Sequence, residues 1–135
     1  MGADMGARAL AAARAMVGVP FRRQGCDPAT GLDCVGLVWA AFAAAGRALA
    51  RPADYPMRGW SAERIAAALR AAGFQPVRAE RRDGDVALIA DAAGQFHLAM
   101  IGQDIVVHAH AGLRRVVESP PTVVPDAATR WRLFE

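Results

Sequence analysis

Gly31-Leu32-Asp33-Cys34-Val35-Gly36-Leu37-Val38, continuing through Trp39 and Phe42 to Gly46, reads as a helix with its start and stop written in. Asp33 is the kind of residue that caps a helix N-terminus, and Gly46 the kind that ends one. Between them, Val35, Leu37, Val38, Trp39, Phe42 and several alanines leave no polar face, so a helix over 34–45 is expected to be the buried centre of the fold. Cys34 falls in its first turn, where unpaired N–H groups and the helix dipole favour a thiolate. Gly36, two residues on, lets another chain or a substrate backbone approach closely. Alone, Cys34 would read as one more small buried apolar residue; its reading as a nucleophile depends on what lies further along the chain.

Outward from this helix, the N-terminal side predicts an Ala-rich helix over 4–16, with Leu10, Met16 and Val17 on one side and Gly18 and Pro20 stopping it. A loop over 22–32 carries Cys26, Asp27, Pro28 and Gly31. On the C-terminal side a Pro-rich connection over 51–58 leads to a third helix, capped by Ser61, with Glu63 in its first turn and Gly73 closing it. After Pro76 the hydrophobic period changes from helical to strand-like. Strands are expected over 85–90, 95–101, 105–110 and 113–118, parted by turns at 91–94, 102–104 and 111–112, as an antiparallel meander. Beyond Pro120, Pro121 and Pro125, residues 122–124 and 130–134 are candidates for one or two edge strands. Helices first and sheet second make an α+β fold, N-terminal helices packed on a C-terminal antiparallel meander sheet, and 135 residues fit one domain over 1–135.

The three histidines, His97, His108 and His110, all fall in that meander, one on one expected strand and two on the next. Antiparallel neighbours bring such residues side by side. A cysteine at a helix start facing a strand histidine, itself oriented by a second polar group, is the arrangement of thiol hydrolases. In it His97 takes the proton from Cys34 and returns it to the leaving amine, while His108 holds the far ring nitrogen of His97. His110 alternates onto the face of His108 but lies at the strand end.

Composition narrows the alternatives. All 16 basic residues are arginine, which excludes the phosphate-loop nucleotide site, Schiff-base chemistry and serine–lysine hydrolysis. The net charge of +3 comes from scattered pairs such as Arg22 and Arg23 or Arg114 and Arg115, without the long stripe that nucleic acid would need. No apolar run is long enough to insert in a membrane. Residues 1–18 lack a basic leader followed by an unbroken apolar block, so the expectation is a chain without a signal peptide, made in the cytoplasm.

In order along the chain, 18–25 (GVPFRRQG), 31–38 (GLDCVGLV), 83–86 (DGDV), 97–102 (HLAMIG) and 107–109 (VHA) resemble the motifs of the NlpC-type cell-wall cysteine peptidases. Val35, where serine is usual, together with the short chain, resembles the phage and gene-transfer-agent tail branch. The resemblance implies a papain-like fold, no cofactor, and hydrolysis of peptidoglycan stem peptides, commonly at the bond between D-glutamate and a diamino acid. By position, Cys34 matches the nucleophile, His97 the base and His108 the third polar residue; Asp33 matches a residue that contacts the substrate amine. Phe21 stands where the family usually has a tyrosine whose hydroxyl lies near the oxyanion, so that donor is absent and backbone N–H groups must serve. The stretch from His97 to Gly102 is one residue shorter than usual, which leaves His110 as an alternative to His108. A phage-like tail particle would carry such a domain to peptidoglycan in the periplasm.

Two other readings stay open. A zinc site could draw on Cys26, Cys34, His97, His108 and His110. A wall- or tail-docking module could keep the fold without activity, as the missing Phe21 hydroxyl suggests. Cys26 is read as a spectator thiol, with a bridge to Cys34 as the alternative.

Overall fold

The computed structural model describes residues 4–50, 61–90 and 96–134. Three helices form in the stretches where the sequence predicts them: α1 (Met5–Ala15), α2 (Cys34–Ala44) and α3 (Ala62–Ala72). Each starts on a side chain that accepts from the backbone three residues ahead: Asp4 from Ala7, Asp33 from Gly36 and Ser61 from Arg64. α3 ends on Gly73 with φ +105°, a left-handed conformation that glycine takes without penalty. The expected Pro-rich connection over 51–58 and the turn at 91–94 lie outside the described residues.

Six antiparallel strands form the main sheet: β3 (Phe74–Val77), β4 (Asp85–Ala90), β5 (Phe96–Ile101), β6 (Val106–His110), β7 (Arg115–Ser119) and β8 (Thr129–Leu133). They lie in the order β3-β8-β4-β5-β6-β7. The meander β4 to β7 is the expected one. A small hairpin, β1 (Cys26–Asp27) and β2 (Gly31–Leu32), precedes α2 inside the stretch expected to be loop.

Three expectations are corrected. β8 is an interior strand, not an edge, because β3 flanks it with Pro76 opposite Trp131. A proline within the run hid β3 in the sequence, yet a residue without an N–H is tolerated at a sheet edge, which is where β3 sits. Residues 121–123 form a 3-10 turn in place of a strand, since Pro120 and Pro121 supply turn dihedrals and no ladder donors. Val17 is exposed, away from buried Leu10 and Met16, because the chain has left the helix by then and turns at Gly18, φ +97°.

α2 is the buried centre. Val35, Leu37, Val38, Ala41 and Phe42 pack with Ala9, Leu10 and Ala13 of α1 and with Leu98, Met100, Val107 and Ala109 of the sheet. Alanines on α1 let the two helices approach closely. Alternate strand residues Ala87, Ile89, Ala99, Ile101 and Val106 form a second apolar cluster on the other face of the sheet, closed by Val124.

Candidate active site

The site is built at a split in the sheet. β4 and β5 pair along the whole of β5, from Phe96 to Ile101, and β6 and β7 pair along the whole of β6. Between β5 and β6, however, the register stops after Ile101↔Val106 and Met100↔Val107. From there His97 and Leu98 stay with β4 while His108 and His110 stay with β7. α2 contacts both diverging strands, and its first residue is Cys34.

The backbone amide of Leu98, the residue after His97, hydrogen-bonds the Cys34 sulfur, and the amides of Val35 and Cys34 add to it; all three favour the thiolate. Two effects oppose them. Burial in the packed mouth of the split pushes the Cys34 thiol up to about 11, and the neighbouring carboxylate of Asp33 pushes the same way. The resting residue therefore carries its proton at neutral pH, and any chemistry at sulfur begins with a base removing it.

Asp33 is itself buried and already engaged. One carboxylate oxygen accepts from Gly36 N at 2.7 Å and the other from Gln24 N at 2.9 Å. The cap thus also staples the 22–25 loop to the start of α2, helped by Asp33 N donating to Gly25 O at 3.0 Å. Gly36 is buried under the same loop: a Cβ there would meet the Gly25 carbonyl and the Cys26 backbone. The close approach expected at Gly36 is made by the protein's own chain.

A chain of backbone bonds ties the nucleophile's flank to the histidine strands. β2 exchanges bonds with residues 20–22, Leu32 N to Pro20 O at 3.0 Å and Arg22 N to Leu32 O at 3.1 Å. That segment bonds β7 in turn, Phe21 N to Arg114 O and Val116 N to Val19 O, both 2.9 Å. β7 carries β6 and so His108. Phe21 is half-buried in this chain of bonds and packs on the core, presenting a ring where a hydroxyl was expected from the resemblance.

His97 and His108 lie near each other, ring centroids 6.4 Å apart and planes 26° from parallel. At that separation the ring nitrogens are about 4 Å apart or more, so the expected direct bond from His108 to the far nitrogen of His97 is replaced by ring stacking. His108 Nε2 instead contacts Ser119 Oγ at 2.9 Å. Ser119 was missed from the sequence; only its register, two residues beyond the Val117 that pairs with His108, could have pointed to it. Burial lowers the pKa of His108, and the nearby His110 and His97 lower it further. His110 lies 5.5 Å from the His108 ring, but its Nδ1 accepts from Leu113 N at 3.0 Å and so serves the β6–β7 turn. No disulfide joins Cys26 to Cys34; Cys26 is exposed on the hairpin and Cys34 half-buried. Among the described residues no group of three or more His, Cys, Asp or Glu side chains is placed to hold a metal ion, so the zinc alternative lacks a converging ligand set there.

Residues 18–127 match the family model described as NlpC/P60 family. No curated protein matches the chain. Among solved structures it is similar to NlpC2 from Trichomonas vaginalis, with a TM-score of 0.72 at 20% identity over 99% of this chain and 48% of that one. The chain thus spans about half the length of that protein. It is also similar to the NlpC/p60 domain of the peptidoglycan hydrolase SagA, with a TM-score of 0.63 at 21% identity over 96% of this chain and 98% of that one. A third similar structure is RipD from Mycobacterium tuberculosis, with a TM-score of 0.61 at 20% identity over 98% of this chain and 100% of that one. RipD is described as a non-catalytic NlpC/p60 domain protein adapted to binding peptidoglycan.

Proposed function

The chain belongs to the NlpC/P60 family, whose model covers most of it, and from that premise we propose that it is a cysteine endopeptidase cleaving peptidoglycan stem peptides. Cys34 is the nucleophile, His97 the general base and His108 the partner that steadies the base. The observation that carries the reading is the Cys34 sulfur at the N-terminus of α2, bonded by the amide next to His97 in the mouth of the split.

A thiol held near 11 is a poor nucleophile until its proton leaves, so attack is coupled to transfer onto His97. The sulfur adds to the scissile carbonyl, and the charge that develops on oxygen falls beside the N-terminal amides of α2. His97 returns the proton to the leaving amine as the C–N bond breaks, which leaves a thioester. Water, deprotonated by His97, then hydrolyses the thioester and restores the thiol. The bond proposed for cleavage joins D-glutamate to a diamino acid. Synthesis in the cytoplasm, delivery in a phage-like tail particle and action in the periplasm are the setting proposed with it.

Incubation of the protein with purified peptidoglycan, followed by mass spectrometry, tests the reading: release of peptides with a new diamino-acid N-terminus is expected. If the wild type releases nothing, the second reading takes its place, a peptidoglycan-binding module such as RipD is described to be. Phe21 in place of a hydroxyl donor and the raised Cys34 pKa favour that second reading. Iodoacetamide labelling adds an internal comparison with Cys26, which is exposed on the hairpin. Cys34 labelling that falls relative to Cys26 in His97→Ala marks the peptidase, and labelling that His97→Ala leaves unchanged marks the binding module.

A further inference from the structure

Resting on the peptidase reading, we infer that Ser119 is a positioning residue whose hydroxyl fixes the tautomer and ring orientation of His108. The observation is the Nε2–Oγ contact of 2.9 Å, made by a buried histidine to a half-buried serine on the neighbouring strand. The register enforces it. His108 is paired with Val117 and Val106 with Ser119, so Ser119 lies diagonally across from His108, two residues along β7 on the same face.

A neutral imidazole carries one N–H and one lone pair. Burial together with two neighbouring histidines keeps His108 in that neutral form near pH 7. To support a protonated His97, His108 must offer a lone pair, and with Nε2 committed to Ser119 the nitrogen left for this is Nδ1. The proton then sits on Nε2 and the serine oxygen accepts it. Rings that stand 6.4 Å apart without substrate close up when substrate is bound, as catalytic hydrogen bonds commonly do. Without the hydroxyl, a buried Nε2–H has no acceptor, and the ring relaxes to the tautomer that points an N–H at His97. A lost tautomer preference removes the help His108 gives, although no reacting atom touches Ser119.

Ser119→Thr and Ser119→Val form the decisive pair, since they share a shape and differ in the hydroxyl. Nitrogen-15 spectra of histidine-labelled protein are expected to show His108 protonated at Nε2 in the wild type and in Ser119→Thr, and at Nδ1 or mixed in Ser119→Val. In the peptidoglycan assay Ser119→Val is expected to lose roughly tenfold in kcat with KM little changed, and Ser119→Thr to stay near wild type. A His108 tautomer identical in Thr and Val variants overturns the inference. The spectra need no turnover, so a wild type without activity would remove the peptidase reading while the tautomer comparison still decides the role of Ser119.

Discussion

Two buried aspartates, Asp33 at the start of α2 and Asp85 at the start of β4, show how the choice of partner turns the same side chain to different ends. Asp85 is 1% exposed and sits under a fork: Arg132 Nε and Nη2 donate to its two oxygens at 2.7 and 2.9 Å, with Arg130 at 3.8 Å. The same arginines donate on to the carbonyls of Ala79 and Glu80, so this cluster pins the chain entering β4 to β8. Asp33 takes its bonds from the amides of Gly36 and Gln24. Amides satisfy the lone pairs but bring no full positive charge, and the charge of Asp33 still reaches the sulfur beside it, raising its pKa. Asp85 is a structural clasp; Asp33 is a cap that also disfavours the thiolate at the site.

The largest expected effect lies at the chemical end of this contrast. Cys34→Ser should lose roughly 10⁴-fold or more in release of stem peptides while keeping its circular dichroism and melting temperature, because the hydroxyl fills the place of the thiol but is far less acidic. Substantial activity in Cys34→Ser would defeat the peptidase reading. At the clasp, Asp85→Ala leaves two arginines without their carboxylate, and urea unfolding should show a loss of about 3–5 kcal/mol. Its kcat per folded molecule should not change; a fall in kcat would mean that the two ends are coupled and the contrast drawn too sharply.

Asp33→Asn sharpens the same contrast. Asparagine keeps an oxygen that can cap Gly36 N but turns an NH2 towards Gln24 N, and loss of that loop bond is expected to cost about 1–2 kcal/mol in urea unfolding. The midpoint for thiolate formation at Cys34, followed by ultraviolet absorbance, should move down in pH, because the charge that raised it is gone. Stability gives a second sign. Cys34 has its pKa raised from 9.0 to about 11 on folding, so the contribution of the buried thiol is full below pH 9 and is lost as pH rises from there towards 11. Asp33→Asn should flatten that alkaline loss, and a midpoint that stays or rises would show that the carboxylate does not act on the thiol. The smallest effect is at Phe21. Phe21→Tyr should raise turnover a few-fold if the missing hydroxyl limits stabilisation of the oxyanion, and leave it unchanged if the α2 amides suffice.

Much of this was legible in the residues. Caps and stops written as Asp33, Ser61 and Gly73 set the helix boundaries locally, within a turn of chain, and so survive without tertiary help. Period-two alternation gave β4 to β7 and, with it, a cysteine at a helix start followed by strand histidines. The misses in the sheet order were non-local. A strand interrupted by Pro76 is legible only when its position at the sheet edge is known, and β8 becomes interior only because β3 pairs with its far side.

At the site the division is the same. The sequence by itself determined the α+β order, the helix that begins at Cys34 and the strands that carry the three histidines, since each follows from spacing along the chain. Only the tertiary structure decided that β5 and β6 part after Met100 and Val107, that the Leu98 amide meets the sulfur there, and that His108 turns to Ser119. It alone decided as well that the cysteine is held as a thiol near 11 rather than as the thiolate a helix N-terminus favours. The physical reason is that helix amides and dipole are local and readable. Desolvation, the field of a capping carboxylate and the divergence of two strands depend on what the rest of the chain packs around the first turn of α2.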